Sequence, residues 1–291
     1  MAREGVKSIA RNAMYLMSAR AVSSIGRVIY VVVAARMLGA ELYGLFNYGL
    51  AWYLFFLPLC VLGLEEILLR EIGRDRAHAA DLITDSLVVR SAGTLLIAAV
   101  SLGVGLVLES DPVIRLLFVI FTGALIGRGM SLWSAAIFKG YESSGVVLVL
   151  EVSIRVTEIV LGIWALQLGY GVIVLASIHA GCWILQGILG FILVDQRLCR
   201  VHVAWHGNRA LRLLKLGVPF VVAALFLSWL LQGPILLFRY ATGFGGELGQ
   251  VVLALQAMFI IGSVVSELGG AALPAAEGAS VNRTLSSNSL L

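Results

Sequence analysis

Arginine recurs where an apolar helix would sit in lipid. Arg20, Arg27, Arg90, Arg128 and Arg155 each fall inside an uncharged or weakly charged stretch of spanning length. A charged side chain at bilayer depth costs at least ~2.5–3.5 kcal/mol on insertion scales, so such residues face a bundle interior or a water-filled cavity. Guanidinium groups hold phosphate and carboxylate through paired, charge-assisted hydrogen bonds. The chemistry on offer is binding of an anion, and these five arginines are the candidate substrate-binding residues.

Spacing sorts them. Arg20 and Arg27 share one face of a helix, about 10 Å apart along its axis at 1.5 Å per residue. They are either a cavity-facing pair or a pair neutralised by an acid on a neighbouring helix. Glu151, Arg155 and Glu158 follow an i, i+4, i+7 pattern and form one polar stripe. That stripe is either structural, with Arg155 paired within its own helix, or a coupling relay facing the cavity. Arg128 has no acid within one turn, and Arg90 has only Asp85 in poor register. These two are the better candidates for touching a ligand. Pro58 and Pro234 interrupt apolar runs, and a proline that removes a ladder hydrogen bond can provide a hinge. Glu267 either couples to a cation or reaches water at the helix end.

Bond-making chemistry has no comparable signal. His202 and His206 are spaced i, i+4 without an accompanying acid, His78 sits in a charged connection, and His179 reads as a satisfied interior residue. Cys60, Cys182 and Cys199 form no CxxC. No nucleophile-elbow or phosphate-loop pattern occurs. The expectation is a protein that is not an enzyme and that carries no metal and no cofactor. Net charge is +4, but no basic run has aromatic interleaving, so nucleic acid is not an expected partner.

The elements that must position these charges are membrane helices. Hydrophobic residues make up 60% and charged residues 13% of the chain, and mean hydropathy is +0.97. Soluble domains run near ~45–50% apolar and ~25% charged, which decides the class. The reading is an all-α polytopic bundle of about eight transmembrane helices, each of roughly 20 residues. The spans fall at 13–37, 43–63, 82–107, 113–137, 145–167, 172–194, 216–238 and 249–273. Leu38 to Leu42 is a tight turn, and residues 64–80 read as a charged connection. Lys and Arg concentrate in alternate connections: Arg70, Arg74 and Arg76, then Lys139, then Arg197 to Lys215. The positive-inside rule then puts both termini on the cytoplasmic side of the inner membrane. Residues 1–195 form a six-helix lobe, 196–215 a basic connection, 216–274 two helices of a second lobe, and 275–291 a polar tail. Gly123 and Gly127, with Gly181, Gly187 and Gly190, read as small-residue packing faces.

Several short motifs carry a resemblance. Arg11-Asn12, then Ala35-Arg36-Met37-Leu38-Gly39, then Leu42-Tyr43-Gly44 resemble the opening of the oligosaccharide flippases, the Wzx or polysaccharide-transporter branch of the multidrug/oligosaccharidyl-lipid/polysaccharide exporter superfamily. Gly63 and Arg70 continue the likeness. Lys215-Leu216-Gly217-Val218-Pro219 resembles the K-x-G-x-P start of that family's seventh helix, and Ala271-Ala272-Leu273-Pro274 the end of its eighth. The resemblance runs over about 8–274. It implies movement of a lipid-diphosphate-linked oligosaccharide without chemistry, through a V-shaped pair of six-helix lobes around a cationic cavity. It also implies twelve or more helices, so the eight here make one lobe and the start of a second. Implied partners are the anionic lipid-linked glycan and membrane lipid, with a second copy or separately encoded helices completing the bundle. The alternatives are a drug/cation antiporter of the same fold, and a non-transporting interaction subunit or inactive remnant.

Overall fold

The computed structural model describes the backbone of residues 2–76, 79–200, 207–243, 246–258 and 262. Within these ranges, the side chains of 2–25, Arg27, 207–208 and Thr242 are not described. Regular structure among the described residues is helical throughout: α1 (Ala2–Val61), α2 (Leu64–Arg74), α3 (Ala79–Leu108), α4 (Pro112–Gly140), α5 (Ser144–Gln167), α6 (Val172–Arg197) and α7 (Gly207–Thr242). Residues 246–258 are also helical. Among the described residues, five stretches are long and apolar enough to cross a membrane: Val28–Val61, Ala79–Leu108, Pro112–Gly140, Val172–Arg197 and Arg209–Ala241. This is a multi-pass membrane bundle.

α1 is two helices joined by one residue. Gly39 has φ 74° and ψ 169°, a left-handed excursion that glycine makes without a Cβ clash. Contacts show that the chain reverses there. Gly26 faces Ile159 and Tyr30 faces Gly162, so the first arm climbs alongside α5. In the second arm Tyr48 meets Glu109 at one end of α3, and Val61 meets Arg90 nearer the other. The tight turn expected at Leu38 to Leu42 is therefore this break. The helix continues through Pro58, and α7 continues through Pro219 and Pro234. Neither Pro58 nor Pro234 ends its helix.

The bundle has two ends. One carries Arg70, Arg74, Arg76, Lys139 and Arg197 and is called the basic end below. α2 lies there and corrects the expectation of a plain charged connection over 64–80. Leu64, Ile67, Leu68 and Ile72 recur at helical spacing and bury one face, while Arg70 and Arg74 stay exposed. Its core neighbours include Ile83, Trp133, Phe138 and Val194. At the opposite end Asp111 caps α4, accepting from the backbone N–H of Val113 at 2.7 Å, with Pro112 in the first helical turn.

Glycine sets the closest packing. A Cβ on Gly127 of α4 would collide with the backbone of Trp183 and Ile184 in α6. One on Gly187 would lie 2.8 Å from the Gly127 carbonyl, and one on Gly190 would strike Ser134. Small residues let these parallel helices touch along their backbones. Gly181 has nothing within 4 Å and takes no part.

The chain divides into two compact units, 1–249 and 250–291. In the second, 250–258 and 262 are described, as helix. Glu267, Ala271 to Pro274 and the polar tail lie outside the described residues, as do His78, His202 and His206.

Candidate functional site

The sequence-predicted arginines go to different places. Arg90 is fully buried. Its Nε and Nη2 donate to the Gly129 carbonyl at 3.2 and 2.7 Å, its Nη1 donates to the Val61 carbonyl, and Glu65 lies 3.7 Å away. One side chain thus ties α1, α3 and α4 together next to the start of α2. Every donor group is engaged by protein, so Arg90 acts here as an inter-helix clamp. Burial pushes the Glu65 carboxyl above the ordinary carboxylate range, against the pull of Arg90.

Arg128 and Arg155 come together. The Arg128 guanidinium sits 3.8 Å from the centroid of the Trp183 ring, and Arg155 sits 5.3 Å from the same ring. α4, α5 and α6 each contribute one of these three residues. The indole quadrupole attracts both cations. Their counter-ions differ. Arg155 Nη1 donates to Glu158 Oε2 at 2.7 Å. Among the described residues no carboxylate or carbonyl accepts from the Arg128 guanidinium, which is only half-buried. Arg128 is a cation oriented by an aromatic face with its hydrogen-bond donors uncommitted.

Behind this pair lies a network that sequence reasoning saw only in part. Glu158 Oε1 is 2.7 Å from His179 Nδ1. His179 Nε2 is 3.1 Å from the Trp183 indole nitrogen and 3.1 Å from the Tyr53 hydroxyl. An indole N–H can only donate, so Nε2 accepts and Nδ1 carries the proton that Glu158 receives. His179 and Glu158 are both buried. Phe46 and Phe121 wall the network, with Phe121 stacked on Tyr53 at 5.6 Å. The stripe read from spacing therefore splits. Arg155 and Glu158 pair with each other, and Glu158 also orients His179, which in turn fixes the ring beneath Arg128. Glu151 is half-exposed one turn before Arg155.

Arg20 and Arg27 lie on helical backbone in the first arm of α1, and their side chains are outside the described residues. The backbone just beyond Arg27 runs against α5, since Tyr30 contacts Gly162 one turn after Glu158.

The residues that sequence reasoning missed lie at the end opposite the basic one. Tyr48 donates to Glu109 Oε1 at 2.8 Å, and Arg239 of α7 lies 3.2 Å from Glu109 Oε2. No motif or helical spacing links Glu109 to Arg239, which are far apart in the chain.

The family model described as polysaccharide biosynthesis protein matches residues 9–276. Two solved structures share the fold. One is the outward-facing conformation of a multidrug resistance MATE family transporter of the MOP superfamily, 16% identical, with a TM-score of 0.64. The other is a MOP superfamily transporter from Pyrococcus furiosus, described as having a binding pocket of reverse polarity that suggests a different function; it is 17% identical with a TM-score of 0.59. Each match covers 87% of this chain and 60% of the other, so the chain spans about 60% of the length of either transporter. At these identities the likeness is one of fold. Comparison with curated proteins gives no match.

Proposed function

This chain belongs to the polysaccharide biosynthesis protein family, and from that premise we propose that it serves a flippase that moves a lipid-diphosphate-linked oligosaccharide across the cytoplasmic membrane. Family and fold are those of membrane transporters, so the task is binding and movement. The observation that carries the reading is Arg128, a cation with uncommitted donors seated on Trp183 beside Arg155. A diphosphate is the anion class that two neighbouring guanidiniums hold well. Arg20 and Arg27 on the adjoining arm of α1 would extend the same cationic lining.

The remaining parts follow from this reading. Residues 1–195 form the first lobe and 216–274 the beginning of the second, joined by the basic connection 196–215. The basic end faces the cytoplasm, as the Lys and Arg bias directs. Transport proceeds by rocking of the lobes about the anion site. Glu151 remains the acid available for ion coupling, because Glu158 is held by Arg155 and His179.

Genetic replacement tests the proposal. The full gene product is expressed in a strain lacking its own flippase for a lipid-linked glycan, and surface glycan is measured beside the lipid-linked precursor. The expected result is restored surface glycan with the precursor drawn down. Arg128→Ala restores at least about tenfold less, since a charge-assisted contact is worth ~1.5–3 kcal/mol. Restoration by Arg128→Ala equal to the parent contradicts the role of Arg128. No restoration across a panel of lipid-diphosphate glycans contradicts the flippase reading.

A further inference from the structure

The ion pair between α3 and α7 has no place in anion binding. Glu109 directly follows the last residue of α3 and is 4% exposed. Its two carboxylate oxygens are taken by different helices, Oε1 by the Tyr48 hydroxyl of α1 and Oε2 by Arg239 of α7. The next residue of α7, Tyr240, is half-exposed beside them. Arg115 of α4 donates to the Glu109 carbonyl at 2.7 Å and fixes the turn that presents it. The last helical turn of α7 is thus fastened through Arg239 to Glu109, and through Glu109 to Tyr48 of α1.

The other end of α7 is fastened differently. Arg209 reaches Asp81 at 3.3 Å and Asp85 at 3.5 Å, again on α3, but Arg209 and Asp81 are largely exposed. Exposed ion pairs contribute little, because water and salt screen them. A sheltered pair resists separation unless both charges are resolvated together. At the basic end α7 is held by packing instead: Ala210 and Leu213 are buried in the core beside α2, and a Cβ on Gly217 would strike the Leu62 carbonyl. Between the two fastenings α7 lies directly on the second arm of α1. Ser228 donates to the Leu54 carbonyl at 3.0 Å, and Trp229 meets Phe55 edge-on at 5.9 Å.

We propose that Glu109, Tyr48 and Arg239 form a latch that closes the outer end of the transport path and must break for the protein to open outward. This rests on the orientation and lobe assignment proposed above, in which α7 starts the second lobe. With the latch closed, the seam between α1 and α7 is shut to outer water. With it broken, α7 swings from α1 about its packed basic end, where Gly217 lies against Leu62 and Gly63.

Thiol labelling tests this without any substrate. Ser228→Cys places a near-isosteric thiol in the seam; Ser228 is 8% exposed. Cells carrying the full protein are treated with a membrane-impermeant thiol reagent from outside. The parent with Ser228→Cys alone should label slowly. Adding Glu109→Gln or Arg239→Gln should accelerate labelling by at least about tenfold, the effect of losing a charged hydrogen bond. Exchanging the charges, Glu109→Arg with Arg239→Glu, should return the rate towards the parent. All variants carry Cys199→Ser, because Cys199 is partly exposed; Cys60 and Cys182 are buried and report on folding, and they should stay unlabelled. Unchanged labelling in both Gln variants, or failure of the exchange to restore protection while Cys60 stays silent, overturns the latch. If a Gln variant exposes Cys60, the milder Tyr48→Phe and Arg239→Lys decide, and no acceleration in either overturns it. Acceleration seen only in inverted vesicles keeps the latch but reverses the proposed orientation. A wrong substrate assignment leaves every one of these rates untouched.

Discussion

Arg128 stacks on Trp183 at 3.8 Å, and the same indole donates to His179 on the next turn of its own helix. The position of the uncommitted cation is thereby set by a chain of contacts: Tyr53 and Trp183 on His179, His179 on Glu158, Glu158 on Arg155. A binding group needs locked supports of this kind if it is to meet an anion in one geometry. Replacing Trp183 by Leu should remove the platform and leave the charge. The expected outcome is weaker anion binding with unchanged protein abundance, checked by titrating pyrophosphate against the purified full protein by calorimetry.

Arg90 behaves differently because its surroundings are structural. Arg90→Ala strands the carbonyls of Gly129 and Val61 in a buried position. Removing one partner of a buried charged network costs roughly 3–5 kcal/mol. Thermal denaturation in detergent should show a large loss of stability, and transport should fall in step with folded protein. A variant that is stable but inactive would return Arg90 to the binding site.

The glycines separate by contact. Gly127→Ala and Gly190→Ala force a methyl group into the α4–α6 seam, where overpacking costs about 1–3 kcal/mol. Gly181→Ala meets nothing within 4 Å and should be neutral or slightly stabilising, since alanine favours a helix. The melting temperatures of the three single variants should fall into these two groups.

Orientation is open to reporter fusions. Fusions after Ala40, Asp111 and Gly169 should read outside, and those after Arg74, Glu142 and His206 inside. Reversal at two or more of these sites would defeat the positive-inside assignment.

Much of the scaffold was legible because its signals are local. Hydropathy marked the helices, and Leu38-Gly39-Ala40 marked the reversal that Gly39 makes with φ 74°. Gly127 and Gly187 were each readable from spacing as part of a small-residue face, with Gly123 on one helix and Gly190 on the other, though Gly181 meets nothing. α2 was readable too, but the charges of Glu65, Glu66, Arg70 and Arg74 obscured the stripe of Leu64, Ile67, Leu68 and Ile72. The site was only half legible. Spacing found Glu151, Arg155 and Glu158 because all three lie on one helix. It could not join Tyr53 to His179 or Arg239 to Glu109, whose partners sit on helices far apart in the chain. Nor could it tell Arg90 from Arg128. Both are arginines in apolar runs, and only the packing of neighbouring helices makes one a clamp and leaves the other uncommitted.

The central claim is that Arg128 holds the diphosphate of a lipid-linked glycan. The most direct test reconstitutes the full protein in liposomes and follows translocation of a short lipid-diphosphate oligosaccharide and of its lipid-monophosphate counterpart. The parent should move the diphosphate faster. Arg128→Lys should retain part of that preference, because it keeps the charge and loses the paired fork. Arg128→Ala should lose at least about tenfold in diphosphate rate and abolish the preference. Equal rates for Arg128→Ala and the parent, with the preference intact, would contradict the claim.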